Sequence, residues 1–182
     1  ENDIVLGQLR TAEKSNEITA IPELLKTLKL KGCVVTIDAM GCQTAITKQI
    51  RESNGDYMLG LKGNQGTLHA EAVNFFEQAI EIGSEESGCD FFKTIEKGHG
   101  RIEEREIWVV SDLSWLENVD EWKGLRSLIC VKSTRQEKGK MTTEQRYYIS
   151  SLKTQAARMG EIIRLHWGIE NKLHWHLDVT FN

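Results

Sequence analysis

The first half of the sequence alternates β-rich runs with amphipathic segments, and this alternation restricts the fold more than any other feature. Residues 33–37 are a continuous run of small and β-branched residues, typical of a strand buried on both faces of a parallel sheet. Strands joined through helices imply right-handed crossovers, so the pattern predicts an α/β layer. The predicted strands are 4–11, 33–37 and 56–62, and the predicted helices are 19–32, 43–53 and 65–82.

The pattern changes at Gly83, after which β-forming residues cluster around glycines. This texture predicts a mostly antiparallel, strand-rich segment, and helical spacing returns near residue 154 and continues to at least Glu170. The domain organisation predicted from these shifts is 1–84, 85–153 and 154–182. The strands expected in the middle segment are 91–96, 101–111, 125–135 and 144–151.

Composition excludes several classes of protein. A chain of 182 residues can bury a core without disulfides or metals, and no apolar run approaches the ~18 residues that a membrane span needs. The four cysteines are scattered, with no C-x-x-C pair, so neither a disulfide scaffold nor a cysteine zinc site is indicated. We therefore expect reduced thiols, a cytoplasmic location and no membrane partner.

Charge is distributed unevenly along the chain. The net charge of -4 argues against a protein that coats nucleic acid. Residues 122–182, however, carry 11 basic and 5 acidic groups, whereas residues 85–121 carry 4 basic and 11 acidic groups. A basic nucleic-acid face in the last third is therefore one hypothesis, and an ordinary asymmetric surface is the other.

Asp38 directly follows the β-branched run of residues 33–37. Ligands of open α/β sheets bind at the carboxyl ends of strands, and a carboxylate beside an apolar strand is costly unless it has a role. Asp38 is therefore a candidate site residue. The alternative is that it caps the next turn or helix.

A second candidate cluster lies near the C-terminus. His166, Glu170 and His174 are spaced at i, i+4 and i+8, which places them on one face if the segment is helical. Such a stripe is either a set of metal ligands, as in a zinc-dependent hydrolase, or a solvated polar face. Glu170 has apolar neighbours in the sequence, Trp167 and Leu173. A carboxylate in apolar surroundings is costly unless it has a role.

Two basic glycine loops complete the set of candidates. Lys62 to Gln65 leads from a predicted strand into a helix N-terminus, where backbone N–H groups can hold an anion such as phosphate. Lys97 to Arg101 joins two predicted strands, with Arg105 on the same face as Arg101. An ordinary helix cap and an ordinary hairpin turn are the alternatives.

Together these stretches resemble the H-repeat-associated transposases of bacteria, which belong to the DDE superfamily of insertion-sequence enzymes. The resemblance extends over essentially the whole chain and is most specific at 35–43 and 166–175. The stretches that carry it are 7–25 (GQLRTAEKSNEITAIPELL), 35–43 (VTIDAMGCQ), 61–65 (LKGNQ), 97–103 (KGHGRIE) and 166–175 (HWGIENKLHW).

The resemblance implies a ribonuclease-H-like mixed sheet flanked by helices, with a strand-rich antiparallel insertion before the C-terminal helix. Residues 1–84 would then belong to the core, 85–153 to the insertion and 154–182 to the helix that carries the Glu. The family uses three carboxylates and two divalent ions, Mg²⁺ or Mn²⁺, to cut and join DNA phosphodiesters. Asp38 matches the second Asp of this triad and Glu170 matches the Glu.

The chain also departs from the family pattern. Nothing near Asp3 resembles the strand that carries the first Asp, so we expect the 182 residues alone to have no nuclease or strand-transfer activity. His166 stands where relatives have a DNA-contacting Arg, and Leu177 stands roughly where they have a Lys. The missing strand would expose an apolar sheet edge, so a homo-oligomer is expected.

The expected partner is double-stranded DNA, as transposon ends and target. A further hypothesis is a non-catalytic remnant that only binds DNA or oligomerises, which predicts that Asp38 and Glu170 lie more than about 10 Å apart. The candidate DNA contacts are Lys62, Asn64, Lys97, His99, Arg101, Arg105, Arg164, His166 and Lys172.

Overall fold

A computed structural model of the chain describes residues 17–98, 100–153 and 155–169. The helices are α1 (Glu17–Thr27), α2 (Thr44–Glu52), α3 (Gly66–Ile82), α4 (Ser84–Ser87) and α5 (Ala156–Ile169). The strands are β1 (Val34–Ile37), β2 (Asp56–Leu61), β3 (Asp90–Gly98), β4 (Arg101–Val110), β5 (Ser127–Glu137) and β6 (Lys140–Ser150). The strand predicted at 4–11 lies outside these residues.

All six of these strands belong to one mixed sheet, in the order β1-β2-β6-β5-β4-β3. β1 and β2 are parallel, as the helical crossover between them requires, and the other neighbours are antiparallel. Because β2 pairs with β6, the strands of the middle segment extend the same sheet. The predicted α/β architecture, a mixed sheet flanked by helices, is confirmed.

Period-2 alternation along the strands gives the sheet two apolar faces. Helices α1 to α3 cover the first face, where Ile50, Leu59, Phe76 and Ile149 are fully buried. Helix α5 covers the second face, and its Met159 packs into a separate cluster with strand residues. The strand members of that cluster are Met58, Ile107, Val109, Ile129, Val131 and Tyr148.

Strand β1 is the exception to this burial. Val34 is 38% exposed and the other three residues of β1 are half-buried, so the prediction of a strand buried on both faces is wrong. Among the described residues β1 pairs only with β2, which makes it an edge strand. The expected pairing of this edge with another copy stays a prediction.

Candidate active site

Asp38 follows β1 in extended conformation and begins a short 3-10 turn over Ala39–Gly41. Its Oδ1 accepts a hydrogen bond from the backbone N–H of Met40 at 3.1 Å, so the capping role considered above is present. The side chain is nevertheless exposed, and Oδ2 accepts no hydrogen bond from the residues that the structure describes. One carboxylate oxygen therefore fixes the turn, and no described residue engages the other.

The turn after Asp38 is fastened to the next strand–helix connection by two side-chain amides. Asn64 Nδ2 donates to the carbonyl of Ala39 at 2.8 Å, and Gln65 Nε2 donates to the carbonyl of Cys42 at 2.8 Å. The amide of Asn64 is thus engaged within the protein, which gives this DNA-contact candidate a structural role. Lys62, two residues before Asn64, is exposed at the same edge of the sheet.

Two glycines allow this turn to lie close against the sheet. A Cβ at Gly41 would lie 2.3 Å from Cγ2 of Ile37, and a Cβ at Gly60 would lie 3.1 Å from the backbone nitrogen of Ala39. The approach to Ile37 leaves no room for any side chain at Gly41. The position of Asp38 is consequently set by close backbone packing as well as by hydrogen bonds.

Cys42 directly follows the 3-10 turn and belongs to the apolar core. It is fully buried, and desolvation raises the pKa of its thiol to about 12, so the group is a neutral core side chain rather than a nucleophile or metal ligand. All four cysteines are free, as expected.

Helix α5 reaches the same end of the fold. His166 Nδ1 lies 3.1 Å from Oγ1 of Thr36 on β1, a hydrogen bond whose donor depends on the ring tautomer. Thr36 precedes Asp38 by two residues and so points to the same face of the sheet. The last described turns of α5 therefore lie against the strand that ends at Asp38.

Several candidates lie outside the described residues. These are His99, Glu170, Lys172 and His174. Among the residues that are described, no three His, Cys, Asp or Glu side chains are grouped closely enough to hold a metal ion. Both metal-site hypotheses, the pair of Asp38 with Glu170 and the histidine stripe, stay predictions.

The arginine candidates on β4 and α5 are paired with glutamates. Arg105 contacts Glu103 at 2.9 Å and Glu96 at 3.4 Å, and Arg164 donates to Glu96. The hydrogen bond from Arg164 lowers the pKa of the Glu96 carboxyl. The pair of Arg164 with Glu96 fastens α5 to β3, and the pair of Arg105 with Glu96 joins β4 to β3, so part of the positive charge is neutralised within the fold.

One arginine at this site, Arg146 on β6, was not among the residues predicted from the sequence. The guanidinium of Arg146 lies 3.5 Å from the ring centroid of Trp167, and Glu144 accepts a hydrogen bond from its Nε at 2.7 Å. Trp167 in turn donates from Nε1 to the hydroxyl of Tyr148 at 3.1 Å. The alternation of β6 puts Glu144, Arg146 and Tyr148 on one face, which is a usable sequence signal, but their meeting with α5 is tertiary.

These side chains line a cleft of about 480 Å³ between α5 and the sheet. Its floor is apolar, from residues such as Ile107, Val131 and Ile163, and its rim carries both arginines and glutamates. Because its rim carries both signs of charge, this cleft differs from a phosphate-binding groove that is lined by cations alone.

The fold and the strand-end carboxylate agree with a known class of DNA-processing proteins. The sequence matches the family described as "Transposase DDE domain" over residues 1–182, so the chain belongs to the DDE transposase family. The ribonuclease-H-like α/β fold implied by the family resemblance is thereby confirmed.

Individual relatives agree with the family. The chain is 47% identical to "Putative transposase YncI" of Escherichia coli O157:H7 and 43% identical to "H repeat-associated putative transposase YhhI" of Escherichia coli K12; both matches cover 100% of the chain, and 47% and 48% of these relatives. It is also 42% identical, over 83% of its length and 50% of the relative, to an uncharacterised protein in the dhlA 3' region of Xanthobacter autotrophicus.

The chain spans about half the length of the relatives it matches. No solved structure matches it. In the part of the chain that the structure describes, no helix is long and apolar enough to cross a membrane.

Proposed function

We propose that this chain forms part of the catalytic domain of a DDE transposase that cuts and joins phosphodiesters of double-stranded DNA. Asp38 and Glu170 are the two metal-binding carboxylates that it contributes. A further Asp, which has no counterpart in these 182 residues, would complete the site.

One contact carries this proposal. The hydrogen bond between His166 and Thr36 joins α5 to β1 two residues before Asp38. Glu170 follows His166 by four residues in the sequence. The contact therefore supports convergence of two carboxylates that are separated by 131 intervening residues, and it argues against the remnant in which they lie far apart.

The residues at the end of β1 fit a divalent cation. Mg²⁺ binds through one or two carboxylates and keeps several waters, which requires an accessible oxygen and open space. Asp38 supplies an exposed Oδ2, and no lysine or arginine among the described residues forms an ion pair with it. Gly60 lets the backbone of Asp38 and Ala39 pack closely against β2, which fixes where the carboxylate lies.

When bound, two such cations activate the attacking oxygen and neutralise the leaving oxygen of the phosphodiester. The chain's own contribution is geometric. The Met40 N–H, Asn64 and Gln65 hold the Asp38 turn rigid, so Oδ2 is oriented before the ligand arrives. Lys62 provides an exposed positive charge at the same edge for the DNA backbone.

Paramagnetic NMR with Mn²⁺ tests the proposal without requiring catalysis. Added Mn²⁺ should broaden the backbone amide signals of Ala39, Met40 and Gly60 in the wild-type chain. Asp38→Asn should abolish this broadening, and Glu170→Gln should weaken it, because each substitution removes one anionic ligand.

Asp112→Asn is the matched control. Asp112 is also exposed and also accepts a hydrogen bond from the N–H two residues on, Ser114, at 3.1 Å. It lies at the other end of the strands, so its substitution should leave the broadening around Asp38 unchanged. Broadening that survives Asp38→Asn would contradict the proposal.

A further inference from the structure

The two long hairpins of the sheet turn at the same end. In the strand register Arg101 of β4 lies opposite Glu137 of β5, and Glu137 lies opposite Lys140 of β6. The β3–β4 turn and the β5–β6 turn are therefore immediate neighbours. The second turn has only two residues, Lys138 and Gly139, both with positive φ (49° and 76°), which is the tight geometry favoured in hairpins.

Positive charge is concentrated at these turns. We define the basic tip as the five cationic side chains Lys97, Arg101, Arg135, Lys138 and Lys140, all of which are exposed. The neighbouring carboxylate Glu137 pairs with Arg135, and among the described residues Arg101 pairs only with Glu103, at 4.0 Å. The three lysines form no ion pair with any described residue, so their charge is available to a partner.

The glutamates of the same strands are paired with lysines or arginines. Glu104 and Glu106, in the middle of β4, are paired with Lys93, and Glu106 also with Lys132. Glu96 and Glu103 pair with Arg105, and Glu144 pairs with Arg146. Four carboxylates that form no ion pair with a described residue lie in the β4–β5 connection, at the opposite end of the strands. They are Asp112, Glu117, Asp120 and Glu121. Among the described residues, the charge left unpaired at the tip end of these strands is therefore positive.

We propose that the basic tip binds the phosphate backbone of duplex DNA, at a place separate from the Asp38 site. The four strands span about 14 Å at the usual interstrand spacing, which is close to the ~12 Å width of the major groove. Lys97 on β3 and Lys140 on β6 can therefore face phosphates on the two sides of one groove. Contacts of this kind add affinity and position the duplex without reading its sequence.

The register also places the tip relative to the candidate active site. Leu61, the last residue of β2, lies opposite Tyr147, and Lys140 is seven residues further along β6. At about 3.3 Å per residue the tip extends some 23 Å beyond the end of β2, on the side of the sheet where Asp38 lies. The distance corresponds to about seven base pairs, so the tip would hold DNA that flanks the reacting phosphodiester.

This inference rests on the proposed function only in taking DNA as the partner, and it is tested by binding alone. Fluorescence anisotropy with a labelled 30-base-pair duplex measures the dissociation constant of the 182-residue chain over a series of salt concentrations. The double variant Lys138→Gln/Lys140→Gln should bind roughly tenfold more weakly at 100 mM salt and should lower the slope of log K against log salt by about 2. The loss should be equal for two duplexes of unrelated sequence.

Lys29→Gln/Lys31→Gln is the matched control. Both lysines are exposed and lie before β1, at the opposite end of the sheet, and the double substitution changes the net charge by the same amount as the tip variant. An unchanged slope in the tip variant, or an equal loss in the control, would overturn the basic tip while leaving the proposed function intact. A wild-type chain that binds no duplex at low salt would overturn both. If the tip variant lost affinity only for single-stranded DNA, the assignment of duplex DNA as the partner would be overturned.

Discussion

At the scale of single residues, Asp38 shows why a capping interpretation and a ligand interpretation do not exclude each other. A carboxylate has two oxygens, and here one accepts the Met40 N–H while the other accepts no hydrogen bond from any described residue. The cap orients the side chain, and orientation is what a metal ligand needs. The sequence left both interpretations open; the structure shows the capping bond at Oδ1, and Oδ2 is the oxygen to which we assign the proposed metal contact.

Gly41 leads to a prediction about stability. Gly41→Ala should lower the free energy of unfolding by about 1–3 kcal/mol, since the new Cβ would lie 2.3 Å from Ile37 and force the turn or the strand to shift. Urea denaturation followed by circular dichroism measures the change. Gly63→Ala is the control, because a Cβ there meets nothing within 4 Å, and it should change stability by less than about 0.5 kcal/mol. Equal effects of the two substitutions would refute the steric explanation.

At the scale of elements, α5 depends on partners far away in the sequence. Its first turn is capped from β3, where Asp90 Oδ2 accepts the N–H of Ala156 at 2.7 Å, and further along Arg164 is held by Glu96. Gly160 lets the helix approach Ile107 closely, with a would-be Cβ only 3.2 Å from that side chain. The docking of α5, and with it the approach of His166 to β1, is therefore decided by strands of the middle segment.

The Glu96 pair makes this docking sensitive to acid. The pKa of Glu96 is lowered chiefly by its hydrogen bond from Arg164, so the pair contributes stability above the unfolded pKa of about 4.5, and that contribution is lost as pH falls through the lower folded pKa. Both side chains are substantially exposed, so the effect should stay below about 1 kcal/mol.

The measurement compares unfolding free energies at pH 6 and pH 3. The wild-type chain should lose slightly more stability over this interval than Glu96→Gln. Glu161→Gln, which breaks a solvent-exposed pair with Arg158 inside α5, should follow the wild type. A Glu96→Gln profile that coincides with the wild type would show that the ion pair does not stabilise the docked helix.

Element boundaries were largely readable from the sequence, and the exceptions have physical causes. The helices predicted at 43–53 and 65–82 have observed boundaries that differ from the prediction by at most one residue. In both, apolar residues recur at helical spacing, and glycines or polar residues mark where that spacing ends. Helix α1 already includes Glu17, so Pro22 lies beyond a first turn at Thr19, and the helix ends at Thr27 rather than near Gly32. The predicted strand 144–151 begins earlier, at Lys140, because pairing with β5 extends a polar segment that has little intrinsic β pattern.

At the scale of the whole molecule, the proposed site is shared between distant segments, and we expect it to be incomplete in these 182 residues. Only Asp38 and Glu170 match the carboxylates of the family pattern, and a two-metal centre needs the third. We predict that the chain with Mg²⁺ or Mn²⁺ does not nick supercoiled plasmid DNA. Metal-dependent nicking that disappears in Asp38→Ala would contradict this expectation, whereas nicking that persists in that variant would indicate a contaminating nuclease.

The sequence by itself determined the α/β alternation, the strand-end position of Asp38, the uneven charge and, through its motifs, the resemblance to DDE transposases. These are local properties, since periodicity and spacing depend on neighbouring residues. Only the tertiary structure decided that β2 pairs with β6, that Asn64 and Gln65 fasten the Asp38 turn, that Arg146 stacks on Trp167 and that two hairpin turns join in one basic tip. Each of these depends on strand order and register, which are set by the packing of the whole sheet and leave no signal in any single stretch of sequence.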